Sequence, residues 1–150
     1  MNNFNKMTVT AFLALILFLC MDATAQNQKP ADESFTVEGY YKVRWGYVDE
    51  FIDLYKKNHY PLLKKAIEKG DLLAIKAEKP LHHNTEEGRW DFKVTLVFKN
   101  VQAAFDPNLT EPYKKALYPD LDKLVKDEHH RFELLIAHWD VPVTKVELEK

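Results

Sequence analysis

The chain has 150 residues, of which 21 are basic and 23 acidic, for a formal charge of −2; 46% are hydrophobic and 13% aromatic. Acidic and basic side chains are interspersed without a basic stripe, so nucleic acid is not an expected partner. A single cysteine, Cys20, excludes a disulfide framework within the chain, and an exported form must rest on its core.

Residues 1–7 are polar with one lysine, and TVTAFLALILFLC (Thr8 to Cys20) is an apolar run of signal-peptide-core length. Ala23-Thr24-Ala25 then supplies a small-x-small cleavage pattern. The run is shorter than the roughly 20 residues needed to span a bilayer, and no later stretch approaches that length. We read 1–25 as a signal peptide, 26–34 as a flexible leader, 35–141 as one domain and 142–150 as a C-terminal tail. The mature protein is then expected to be exported, periplasmic or secreted, with no membrane span. A retained N-terminal anchor is one alternative and a lipid-modified Cys20 another, although Leu17-Phe18-Leu19 lacks the small residue that such a cysteine wants ahead of it. Asn108-Leu109-Thr110 fits a glycosylation triplet, which matters only in a eukaryotic secretory host.

From Phe35 the apolar residues Phe35, Val37, Tyr41, Val43 and Trp45 alternate with polar ones, which predicts a strand ended by Gly46. From Val48 the period changes. Val48, Phe51, Ile52, Tyr55, His59, Leu62, Leu63, Ala66 and Ile67 form one helical stripe, with Gly70 as its stop. Leu72 to Glu78 predicts a second strand, "LHHNTEEG" a polar loop, and Arg89 to Lys99 a third strand. A second long helix is expected from near Thr110, with Tyr113, Leu117, Leu121, Leu124 and Val125 as its stripe, and a last strand from Phe132 to Val141. Tyr60 to Lys69 (YPLLKKAIEK) aligns with Tyr118 to Asp127 (YPDLDKLVKD), and the same offset carries the second strand onto the last.

The order β-α-β-β-α-β predicts an α+β, ferredoxin-like antiparallel sheet with two helices on one face. With the strand "GYYKVRWG" and the helix "VDEFIDLYKKNHYPLL", residues 35–141 resemble the dimeric α/β-barrel superfamily, which includes small antibiotic-biosynthesis monooxygenases and stress-response barrel proteins. The resemblance implies a homodimer whose sheets close on each other. It carries no catalytic motif over, and a fold alone does not fix a function.

Pro61 removes a backbone donor in mid-helix and clashes with the carbonyl of Lys57, and Pro119 holds the equivalent place in the second half. A feature present in both halves reads as an architectural bend. His59, beside it in the apolar stripe, is either a core histidine satisfied by backbone or a general acid/base; its counterpart is Leu117, so the repeat does not require histidine there. His138, on the last strand, is the second catalytic candidate. His82-His83 and His129-His130 are adjacent pairs whose members point apart, and no metal-ligand spacing occurs. No metal and no cofactor are expected, since phosphate loops and nucleophile elbows are also missing.

If Val37, Tyr41, Val43, Trp90, Phe92 and Val94 face the helices, the other sheet face presents Tyr40, Lys42, Arg44, Lys76, Asp91, Lys93 and Thr95. That face is either solvated or, in a dimer, a lumen favouring an anionic or carbonyl-bearing ligand held by Tyr40, Lys42, Arg44 and Lys93, with Tyr60 nearby. Three functions remain open. One is an exported small-molecule-binding protein; another is a cofactor-free oxygenase or isomerase using a partly buried histidine; the third is a structural module without ligand. On cleavage, intact-mass measurement of the exported form should give a chain starting at Gln26, and a mass that retains Cys20 or a lipid adduct on it refutes this.

Overall fold

The computed structural model describes residues 34–82 and 84–149, so the segment read as a signal peptide, nearly all of that read as a leader, and His83 lie outside the described residues. Four strands, β1 (Phe35–Val43), β2 (Leu72–Glu78), β3 (Phe92–Phe98) and β4 (Leu135–Val143), form one sheet in the order β2-β3-β1-β4. All three pairings are antiparallel. Between β1 and β2 run α1 (Val48–Leu54), a π-helical turn (Tyr55–His59) and α2 (Tyr60–Lys69); between β3 and β4 come α3 (Val101–Ala104), α4 (Glu111–Leu117) and α5 (Leu121–Glu133). This is the ferredoxin-like α+β fold that the element order predicts.

The core lies between sheet and helices. Tyr41 and Val43 of β1 and Phe92, Val94 and Phe98 of β3 meet Phe51, Ile52, Tyr55, Leu63 and Ala66 from the first helical segment. Each large side chain buried this way contributes about 1.5–3 kcal/mol relative to exposure. Gly70 ends α2 with φ +78, the left-handed region, while the Asp71 N–H donates back to the Ala66 carbonyl at 3.0 Å. That is a glycine-terminated helix of the usual kind.

The two Tyr-Pro pairs behave differently. Tyr60 stays helical (φ −58, ψ −39), and its N–H reaches back to the Tyr55 carbonyl, one residue further than in an α-helix. Widening the turn in this way accommodates a proline without breaking the helix. Tyr118 instead becomes extended (φ −128, ψ 101), as a residue before proline prefers. The helix expected from Thr110 is therefore two helices, and Asp120 starts α5 by accepting the Lys123 N–H at 2.8 Å. The equivalence of the two halves does not extend to a shared bend. The two sites do meet: the Tyr118 hydroxyl donates to the carbonyls of Asn58 at 2.8 Å and Lys57 at 3.1 Å. These lie in the stretch where Pro61 withholds a donor.

Two strand limits also move. The last strand starts at Leu135, leaving Phe132 in α5, and it runs on to Val143, into the residues read as tail. β1 stops at Val43, so Arg44 is not on the sheet face: it lies beyond the strand, its N–H donating to the Leu134 carbonyl at 2.9 Å. Trp90 precedes β3 and packs edge-on against Tyr40, on the face away from the helices, contrary to the strand parity. Asp91, expected on that polar face, is buried.

The reason is an ion pair at the end of the central strands. Asp91 Oδ2 accepts the Val43 N–H at 2.8 Å, and Arg89 Nη1 donates to the Val43 carbonyl at 3.0 Å and to Asp91 Oδ2 at 2.8 Å. Arg89 is 1% exposed, also reaches Glu86, and stacks its guanidinium 4.1 Å over the Trp45 ring. Both backbone groups of Val43 are thus held by side chains where the β1–β4 register shifts. Replacing Asp91 by Ala should destabilise the fold by about 3–5 kcal/mol, because it strands a buried guanidinium. Urea unfolding measures this, and a loss below about 1 kcal/mol removes the clamp from the account.

Candidate functional site

The helix-covered face of the sheet carries two distinct environments, and Tyr55 belongs to both. Over β2 and β3 lies a cleft of about 250 Å³ lined by Tyr55, Lys56, Tyr60, Ile75, Ala77 and Phe92. A more open cavity of about 420 Å³ adjoins it, sharing Lys56, Ala77 and Phe92 and adding Asp49, Asp53, Glu78 and Lys79 at its mouth. The helix runs above and the sheet below, so the inner walls are apolar while the charges stay at the rim. Tyr60, one of the expected ligand residues, lines this cleft.

Over β1 and β4 the surroundings are titratable. His138 stacks on Tyr41 with ring centres 4.3 Å apart, Tyr41 and Tyr55 lie 6.1 Å apart, and Tyr55 and His59 5.1 Å. The four rings form one row with a histidine at each end. Burial pushes the Tyr41 hydroxyl up to about 12 and drives that of Tyr55 strongly upward as well, so both hold their protons at any physiological pH. Burial also pulls His138 below its ordinary value, against the opposing pull of Asp140, whose Oδ1 is 3.4 Å from Nε2. His59 Nδ1 is 3.9 Å from Glu128 Oε1, and the histidine beside it holds the Glu128 carboxyl below the usual range. His59 and His138 thus belong to one cluster, with side chains 31% and 29% exposed.

Sequence reasoning missed two buried polar side chains here. Asn58, not His59, takes the fully inward position of the π-turn, and its Nδ2 has no hydrogen-bond partner. Arg131 lies on α5, 3% exposed, its Nε also unpartnered and its guanidinium among the rings of Phe51, Tyr55 and Phe132. A polar residue at an i+3 step from Tyr55 was the available signal for Asn58. For Arg131, inside a run of charged residues, no such signal exists.

Of the remaining predicted ligand residues, Arg44 lies beyond the end of β1, while Tyr40, Lys42 and Lys93 are on the open sheet face, where the two lysine charges are compensated. Lys93 lies 3.0 Å from Glu78 Oε2 and 3.4 Å from Glu38 Oε1, contacts that raise its pKa, the Glu78 hydrogen bond most of all. Lys42 lies 2.8 Å from Glu86 Oε1. Tyr40 donates to Glu38 at 2.5 Å and stacks on Trp139 with ring centres 5.4 Å apart. Neither lysine stands as an uncompensated charge for an anion. Among the described residues, no group of three or more His, Cys, Asp or Glu side chains could hold a metal ion, and no helix is long and apolar enough to cross a membrane.

No protein-family model matches the chain, and no curated protein matches it. Solved structures of similar fold include a dimeric ferredoxin-like protein from an uncultured marine organism (6% identity, TM-score 0.49, covering 80% of this chain and 95% of that one). Another is SnoaB of Streptomyces nogalater, a cofactor-independent oxygenase (8%, 0.45, 79% and 99%), and a third is a NIPSNAP family protein of Agrobacterium tumefaciens (11%, 0.47, 79% and 91%). The likeness is one of fold.

The two histidine environments separate by titration. His138 loses affinity for its proton through burial, whereas His130, paired with Glu50 at 2.8 Å, gains it. Proton NMR should place the His138 midpoint below the ordinary value of about 6.5 and that of His130 above it. A histidine depressed in the fold is protonated more readily in the unfolded chain, so its contribution to stability is complete above about pH 6.5 and is lost as pH falls below that. Reversed midpoints refute the assignment.

Proposed function

We propose that this is an exported small-molecule-binding protein that acts as a homodimer, taking an apolar ligand into the cleft between the first helical segment and strands β2 and β3. The observation that carries the reading is that cleft: apolar walls from Tyr55, Ile75, Ala77 and Phe92, with charges only at the mouth. Small-molecule sites combine a mostly apolar lining with a few polar groups in this way. Its volume suits a single-ring molecule with a polar end at Lys56 and its acidic neighbours. Export rests on the apolar run and Ala23-Thr24-Ala25.

The dimer rests on the open sheet face. Tyr40, Trp90 and Trp139 form an aromatic patch there, Trp139, Val141 and Val143 are each about 40% exposed, and the charges among them are already paired. Such a face loses little on desolvation and gains from being covered. A second reading, acid–base chemistry, has one observation in its favour: His138 is stacked on Tyr41 where burial favours its neutral form, which suits a proton acceptor. It places the substrate at the β4 edge and not in the cleft.

Fluorobenzene, titrated while amide shifts of Ile75 and Ala77 are followed by NMR, should bind saturably; Ala77→Trp should abolish those shifts without lowering the melting temperature by more than a few degrees. Shifts that stay linear, or that survive Ala77→Trp, refute the cleft. Sedimentation should give about twice the chain mass at micromolar concentration and a monomer for Trp139→Glu, and a monomeric native chain refutes the dimer.

A further inference from the structure

Arg131 is a buried cation whose one ion-pair partner, Glu128, is held at long range. The side chain is 4% exposed, Nε is buried without a partner, and Glu128 Oε1 stands 3.9 Å from Nη2, beyond hydrogen-bond distance. The same Glu128 oxygen is 3.9 Å from His59 Nδ1, so it serves neither closely. Three aromatic rings also lie beside it: Phe51 at 5.7 Å, Tyr55 at 5.8 Å and Phe132 at 4.7 Å from the guanidinium carbon. Ring faces stabilise a guanidinium, but they do not replace the two parallel hydrogen bonds that its planar edge can make. A buried ion whose partners are this incomplete is costly to keep unless something else completes them.

The groups that could complete the site with it are close. Glu128 is 3.9 Å from Nη2, and Tyr55, 5.8 Å from the guanidinium carbon, packs on Tyr41, which with His138 forms the stacked end of the ring row. The cluster opens at the edge of the sheet, where His59 and His138 are each about one-third exposed. Phe132, 52% exposed, places its ring 4.7 Å from the guanidinium carbon on the outer surface of α5.

We propose that Arg131 is the anchor of a second binding site, at the β4 edge, for a small carboxylate bearing a flat ring. The carboxylate pairs with the guanidinium edge, displacing the distant Glu128, and the ring continues the Tyr41–His138 stack. A monoanionic carboxylate suits the place better than a phosphate because the aromatic walls penalise a doubly charged, strongly hydrated ion. This site goes beyond the apolar cleft and does not depend on it: the cleft lies over β2 and β3, the cluster over β1 and β4.

Benzoate is the probe, with benzyl alcohol and inorganic phosphate for comparison, and binding to the full mature chain is followed by NMR shifts of the His138 and His59 rings at constant pH. Benzoate should bind saturably and at least about ten-fold more tightly than either comparison ligand, the step expected of a charge-assisted pair. Arg131→Met should keep the fold, since it removes a poorly partnered charge, and should weaken benzoate by about ten-fold or more. Glu128→Gln removes the competing carboxylate and should tighten benzoate several-fold, an effect that a purely structural Arg131–Glu128 contact would not give. Ala77→Trp, which fills the cleft, should leave benzoate binding unchanged. Non-saturable shifts, phosphate binding as tight as benzoate, or a Glu128→Gln variant that binds no more tightly than the native chain overturns the proposal, and the last result does so even if Arg131→Met fails to fold.

Discussion

The missing N–H of Pro61 is the constraint from which the interior takes its shape. A helix lying across a sheet cannot stop halfway without exposing its backbone, and it cannot accept a proline in an unaltered α-helical turn. The chain widens the turn ahead of the proline, and Tyr60 bonds to Tyr55 instead of Lys56. Widening leaves carbonyls short of donors, and the hydroxyl of Tyr118 supplies one, from a residue itself held extended by the next proline. The second Tyr-Pro pair thus supplies part of what the first withholds. The same widening carries Asn58 inward and leaves His59 half-covered beside Tyr55.

Two buried arginines show how the fold treats charge. Arg89 is bound to a carboxylate and a backbone carbonyl with good geometry, and it locks the end of β1. Arg131, equally buried, has neither. Desolvation costs the two about the same, so the difference lies in what returns that cost. For Arg89 the return is structural. The environment of Arg131 contributes ring faces and a distant carboxylate, which makes it the less complete of the two.

The sheet, its antiparallel order and the first helix were legible because period-two and period-3.6 patterns are read directly from Phe35, Val37, Tyr41 and from Phe51, Ile52, Tyr55. Gly70 was legible for the same kind of local reason, as it sits at positive φ. What could not be read was long-range partnership. Asp91 obeys the alternation of a polar face, yet a backbone amide on β1 and a guanidinium two residues away draw it inside. Likewise Lys42 and Lys93 read as available cations until the register brings Glu86, Glu38 and Glu78 to them. His59 and His138 are far apart in sequence, and only the pairing of Tyr41 with His138 and the packing of Tyr55 on Tyr41 put them in one row.

The position of Tyr55 explains why the covered face divides as it does. Its ring touches Phe92 on one side and Tyr41 and His59 on the other, and so stands between the two environments. Toward β2 the sheet offers Ile75 and Ala77, small or aliphatic groups that leave space and demand no hydrogen bonds. Toward β4 it offers His138, whose Nε2 lies 3.4 Å from Oδ1 of the exposed Asp140. A single tyrosine therefore separates an apolar lining over β2 and β3 from a row of titratable groups over β1 and β4, because the sheet positions facing it carry Ile75 and Ala77 on one side and His138 on the other.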